Sequence, residues 1–143
     1  MVVKFHNTLT NENEEFKPRK ESAVTMYNCG PTVYDYATIG NLRAYVFADS
    51  IKRVLKYSGY DVKQVINITD VGHLTSDADE GEDKVESGAK REGIKVKDIV
   101  KRYTNAFFND LKKLNVDTKN IIFPKATDYI GEQITFIQTL DEK

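Results

Sequence analysis

The run Cys29-Gly-Pro-Thr-Val-Tyr-Asp-Tyr-Ala-Thr38-Ile39-Gly40-Asn41 gathers a thiol, threonine hydroxyls, a carboxamide and glycines in a short stretch. A thiolate is a soft donor that suits zinc. Thr38 and Asn41 offer neutral donors to oxyanions, and Gly40 lets a backbone approach a phosphate closely. These residues point to an anionic ligand near residues 30–43. They equally make a turn (Gly-Pro-Thr) and a helix cap (Thr-Ile-Gly-Asn), and a lone cysteine at a strand end is also an ordinary packed thiol. No Ser-His-Asp nucleophile set is visible. Between Asp77 and Glu86 six acids face one base, Lys84, but Glu82 stands where a calcium loop requires glycine.

The elements that must position these groups follow from periodicity. Val24 to Asn28 is short and β-prone and runs into Cys29-Gly30-Pro31, so a strand ends at Cys29. From Asn41, apolar residues recur at three- and four-residue steps through Ala44, Phe47, Ala48, Ile51, Val54 and Leu55, and Gly59 follows as a stop, which predicts an amphipathic helix with that stripe inward. Val62 to Thr69 is β-branched, so residues 24–69 predict one βαβ unit with parallel strands. The chemical run then lies between a strand's carboxyl end and a helix's N-terminus, where parallel α/β sheets bind nucleotides.

Residues 76–93 carry no apolar stripe and predict an exposed acidic insertion. Val96, Ile99, Val100, Tyr103, Ala106, Phe107, Leu111 and Leu114 predict a second helix, and Ile121 to Pro124 a short buried segment. A final helix is predicted from Thr127 as N-cap, with Ile130, Ile134, Phe136 and Ile137 inward, and Val2 to Lys17 reads as a small hairpin or arm. His73 falls in a polar loop and receives no role. Lys84, Lys90, Arg91, Lys95, Lys97 and Lys101 read as a solvated face.

With 143 residues, 21 Lys+Arg against 22 Asp+Glu and 40% apolar composition, the chain fits one folded domain and is neither a strongly basic nucleic-acid binder nor an acidic disordered tail. The single cysteine precludes an internal disulfide, and no apolar run is long enough for a bilayer, so a cytoplasmic setting is expected.

Met26 to Tyr36, Ile39-Gly-Asn-Leu-Arg43 and Val65-Ile-Asn-Ile-Thr-Asp70, flanked by Phe5 to Thr10, Phe16-Lys-Pro18, Val71 to Asp77 and Pro124-Lys-Ala-Thr127, resemble the N-terminal catalytic half of cysteinyl-tRNA synthetases. The resemblance covers residues 1–143 and implies an α/β fold, part of a Rossmann-type parallel sheet with flanking helices. It implies ATP-dependent activation of L-cysteine to cysteinyl-adenylate and transfer to tRNA(Cys), by a monomer. Pro31 to Asn41 would be the first ATP signature, with Thr38 and Asn41 as the catalytic pair and Thr32 and Gly40 also at ATP. Thr38 departs from the family's usual His-Ile-Gly-His or His-Ile-Gly-Asn form. Gly30, Thr32 and Thr69 would bind cysteine, and Cys29 would be the first zinc ligand, zinc and ATP with Mg being the implied cofactors. The remaining zinc ligands and the second ATP signature would lie beyond Lys143, so the isolated chain is expected to fall short of full turnover. Two other readings remain: the related cysteine ligase of mycothiol biosynthesis, and a nucleotide-binding domain without chemistry.

Overall fold

The computed structural model describes residues 2–74 and 81–143. A hairpin of β1 (Lys4–Asn7) and β2 (Glu12–Glu15) opens the chain, its turn made by Asn11 in the left-handed region. Then follow β3 (Ala23–Asn28), α1 (Ile39–Tyr57), β4 (Asp61–Ile66), α2 (Lys84–Glu92), α3 (Val96–Lys113), β5 (Ile121–Ile122), a 3-10 turn (Ala126–Tyr129) and α4 (Ile130–Asp141). Strands β3, β4 and β5 form a parallel sheet in that order, with Ala23 opposite Asp61 and Gln64 opposite Ile121. The predicted βαβ unit is thus present. Beyond β4 the pairing continues through single bridges, Ile68 to Lys125 and Thr69 to Thr32, which bring the sheet's carboxyl edge to the residues of interest.

The main core joins Ile66 and Ile68 of the sheet to Val33, Tyr45, Val85 and Ala89, and to Ile99, Tyr103, Phe107 and Leu111 of α3. The centre of the predicted α3 stripe is therefore buried, whereas Val96 and Leu114 at its ends are exposed. A smaller cluster of Val3, Val24, Leu55 and Val62, with Phe5 and Phe16, seats the hairpin on the sheet. No helix among the described residues is long and apolar enough to cross a membrane.

Elsewhere the structure departs from the expectations. Residues 84–92 are not a solvated insertion: they form α2, with Val85, Gly88 and Ala89 buried, while residues 75–80 lie outside the described residues. Gly88 explains the fit, since a Cβ there would stand 2.9 Å from Ile99 Cδ1 and 3.1 Å from the Tyr34 carbonyl. Helix α1 buries Tyr45, Ala48, Asp49, Lys52 and Leu55, whereas Phe47 and Val54 of the predicted stripe are exposed. A charged contact sets that rotation. Lys52 is 1% exposed, its Nζ donates to the Asp117 carbonyl, and it lies 3.5 Å from Asp49, which also accepts from Arg53 Nε at 2.6 Å and from the Asp117 amide at 3.1 Å. Nor is Thr127 a helix cap: its amide and hydroxyl both donate to buried Asp70. Helix α4 has no buried residue, so Ile130, Ile134, Phe136 and Ile137 face outward, because no described layer packs on that side.

Candidate active site

A cleft of about 420 Å³ opens where β3 runs into α1, within the size range of small-molecule sites. It brings together Cys29, Gly30, Thr32, Thr38, Asn41 and Thr69, all singled out in the sequence. Gly40 lies one residue outside the lining, exposed on the first turn of α1. Tyr45, Tyr103 and Phe107 form an aromatic wall, with Tyr45 and Phe107 edge to face at 5.0 Å.

Gly30 is where β3 and the segment after β4 approach most closely. Its amide donates to Asn67 Oδ1 at 2.8 Å, and a Cβ at this position would stand 1.5 Å from the Asn67 carbonyl oxygen. The Tyr27 hydroxyl also donates to Asn67 Oδ1, at 3.0 Å, so the carboxamide orientation is fixed and Asn67 Nδ2 donates to Thr69 Oγ1 at 3.0 Å. Asn67 was not singled out in the sequence. A β-poor asparagine inside the Val65 to Thr69 run was the available signal.

Thr38 caps α1 through a reciprocal box. Its hydroxyl donates to Asn41 Oδ1 at 2.7 Å, and the Asn41 and Thr38 amides are each taken up by the other's side chain. The expectation that both side chains offer free donors is therefore modified: Thr38's proton is engaged, Asn41 keeps its Nδ2 hydrogens, and the Ile39 and Gly40 amides have no intrahelical acceptor. That end of α1 remains a favourable place for negative charge. Gly40 has only Thr38 Oγ1, at 3.7 Å, near its open Cα face, so packing does not require glycine there.

Two residues outside the sequence expectations also line the cleft. His73 Nδ1 lies 2.5 Å from Thr32 Oγ1, and Lys84 Nζ lies 2.9 Å from His73 Nε2. Asp83 secures both. One carboxylate oxygen caps α2 by accepting from the Val85 and Glu86 amides, and the other accepts from the Gly72 and His73 amides. Of the six basic residues read as a solvated face, Lys90, Arg91, Lys95, Lys97 and Lys101 are exposed, Lys90 pairing with Glu82 and Arg91 with Asp35, whereas Lys84 enters the cleft.

Cys29 is exposed at the mouth of the cleft. Zinc takes about four donors, and among the described residues no three His, Cys, Asp or Glu side chains converge. The described residues thus supply one thiolate and do not fit a closed zinc shell. Burial, with Cys29 nearby, pushes the Tyr45 phenol up to about 12. A raised phenol pKa favours folding below its unfolded value near 10 and loses that contribution as pH climbs toward about 12. Chemical denaturation near either end of this window should show the chain weakening, and Tyr45→Phe should flatten the slope; an unchanged slope would remove Tyr45 as its source.

Residues 15–143 match the family described as tRNA synthetases class I (C) catalytic domain. The chain belongs to this family. Among curated proteins it is 52% identical over 141 residues to the cysteine–tRNA ligase of Treponema denticola, covering 99% of this chain and 28% of that protein. It is 53% identical to cysteine–tRNA ligase 1 of Burkholderia lata, covering 99% of this chain and 30% of that protein, and 49% identical over 140 residues to the cysteine–tRNA ligase of Zymomonas mobilis, covering 98% and 27%. The chain therefore spans less than a third of the length of these relatives. Membership of the class I synthetase family accords with the parallel sheet and its flanking helices.

Proposed function

We propose that this chain is the ATP- and cysteine-binding portion of a cysteine–tRNA ligase. The observation that carries the reading is the convergence of Cys29, Gly30, Thr32, Thr38, Asn41 and Thr69 on one cleft in a chain so similar to cysteine–tRNA ligases along its length. In the first half-reaction a carboxylate oxygen of cysteine attacks the α-phosphorus of ATP. The bond to the bridging oxygen breaks, and pyrophosphate leaves with the electron pair. Such a step needs orientation and charge stabilisation rather than a protein nucleophile. The open N-terminus of α1, with Asn41 Nδ2 and the Gly40 amide, would meet phosphate oxygens; Gly30, Thr32 and Thr69 would hold the cysteine end. Thr38 would act by keeping Asn41 in place through the capping box.

Zinc, when bound in such an enzyme, favours a thiolate over the harder serine hydroxyl. Cys29 would give one ligand, and donors outside the described residues would complete the shell. Transfer to tRNA(Cys) and the use of Mg belong to the same reading at the level of the whole enzyme.

Calorimetric titration of the chain with a non-hydrolysable cysteinyl-adenylate analogue should give saturable one-site binding; no heat and no chemical-shift change would defeat the reading. Gly40→Ala sharpens the test. Alanine in a helix is favoured over glycine by about 1 kcal/mol, so the variant should be as stable as the parent or more so while binding the analogue more weakly. Unchanged affinity would take Gly40 out of the phosphate site.

A further inference from the structure

We propose that His73, held by Lys84, is a positioning residue that turns the Thr32 hydroxyl proton into the cleft, so that Thr32 meets the ligand as a donor. The inference rests on the reading of this cleft as an aminoacyl-adenylate site. A lysine ammonium has donors and no acceptor. His73 Nε2, 2.9 Å from Lys84 Nζ, is therefore the accepting nitrogen, and the neutral ring carries its hydrogen on Nδ1. Nδ1–H donates across 2.5 Å to Thr32 Oγ1. With that lone pair occupied by a donor, the threonine's own proton must point elsewhere.

The ring cannot easily reverse these roles. Asp83 accepts from the amides of Gly72 and His73, and the Lys84 amide donates to the His73 carbonyl at 2.8 Å, so ring and ammonium come from a clamped pair of segments. Thr69, bridged to Thr32, has the same polarity by a separate route: its oxygen accepts from Asn67 Nδ2, whose orientation is set by the Gly30 amide. Two neighbouring hydroxyls thereby each have one lone pair occupied and their own proton free to donate, which favours an acceptor oxygen, carboxylate or phosphoryl, over an ammonium group.

The first arm of the test reads the ring itself. Long-range nitrogen–proton NMR of the chain should show His73 as the Nδ1–H tautomer, and Lys84→Met should shift it toward Nε2–H; an Nε2–H ring in the parent, or no response to Lys84→Met, overturns the proposal. The second arm is a binding cycle with the cysteinyl-adenylate analogue. His73→Phe should weaken binding about tenfold, His73→Asn should hold it within about threefold, and in a Thr32→Val background His73→Phe should change it less than about twofold. Equal losses in both backgrounds would show that His73 does not act through Thr32. Parallel titrations with L-cysteine and with AMP identify which half of the ligand presents the oxygen. If the parent binds none of these, the adenylate reading fails, while the tautomer arm still decides the positioning role.

Discussion

Replacing Gly30 with alanine is expected to remove about 4–5 kcal/mol or more of stability, within reach of the whole folding free energy of a small domain. The cause is space, not backbone conformation. A methyl group at Cα would sit 1.5 Å from the Asn67 carbonyl oxygen and 2.7 Å from its carbonyl carbon, and both are main-chain atoms that cannot swing aside. Relieving the overlap means separating the end of β3 from the segment that follows β4. That separation breaks the Gly30 to Asn67 hydrogen bond and releases the carboxamide that orients Thr69. Gly59→Ala is the natural comparison. Gly59 has φ +92 with nothing within 4 Å of an added Cβ, so alanine there meets only a left-handed backbone cost of about 1–2 kcal/mol. Equilibrium urea unfolding of both variants checks the ordering; a Gly30→Ala protein as stable as Gly59→Ala would contradict the close approach.

Asp49→Ala should be nearly as severe, costing about 3–5 kcal/mol, because it leaves the Lys52 ammonium buried without its nearer carboxylate. Asp117 lies 4.0 Å from Lys52 Nζ and is also drawn to Lys56 at 3.5 Å, so it is a poor substitute. Lys52→Met deletes the charge and keeps most of the apolar stem, and its cost should be well below that of Asp49→Ala. Burial holds Lys52 below the ordinary lysine range despite the opposing pull of Asp117 and Asp49. Its charged form therefore opposes folding, and stability from this group rises as pH climbs through its folded pKa toward the unfolded value. Denaturant midpoints of the two variants test the asymmetry: equal losses would mean that hydrogen bonding to the α3–β5 connection, not uncompensated charge, dominates.

These effects mark where sequence and structure part. The elements β3, α1, β4 and α3 are legible because a strand's alternation or a helix's spacing is carried by apolar residues in order along the chain. Helix α2 is not, because its close approach to Tyr34 and Ile99 depends on the smallness of Gly88, which gives no apolar signal, and acids crowd its N-terminal side. The inward face of α1 is only partly legible for a related reason: Ala48, Ile51 and Leu55 pack inward as their spacing predicts, but Asp49 and Lys52 bury as a compensated pair, which hydropathy reads as surface. The cleft itself divides in the same way. Cys29 to Asn41 is contiguous and so visible in the sequence, whereas His73 meets Thr32, and Lys84 meets His73, only because Asp83 holds the Gly72 and His73 amides.

Helix α4 carries a consequence for motion. A helix of 12 residues without buried side chains lacks the packing that stabilises short helices in water, and its attachment runs through the 3-10 turn that Asp70 pins at Thr127. Its amides should therefore exchange with deuterium through local opening that leaves the rest of the fold intact, while those of α3 around Ile99, Tyr103 and Phe107 exchange only when the core itself opens. Covering the outward Ile134, Phe136 and Ile137 with another protein surface would slow exchange in α4 first, making that helix a built-in reporter of docking on its side of the molecule.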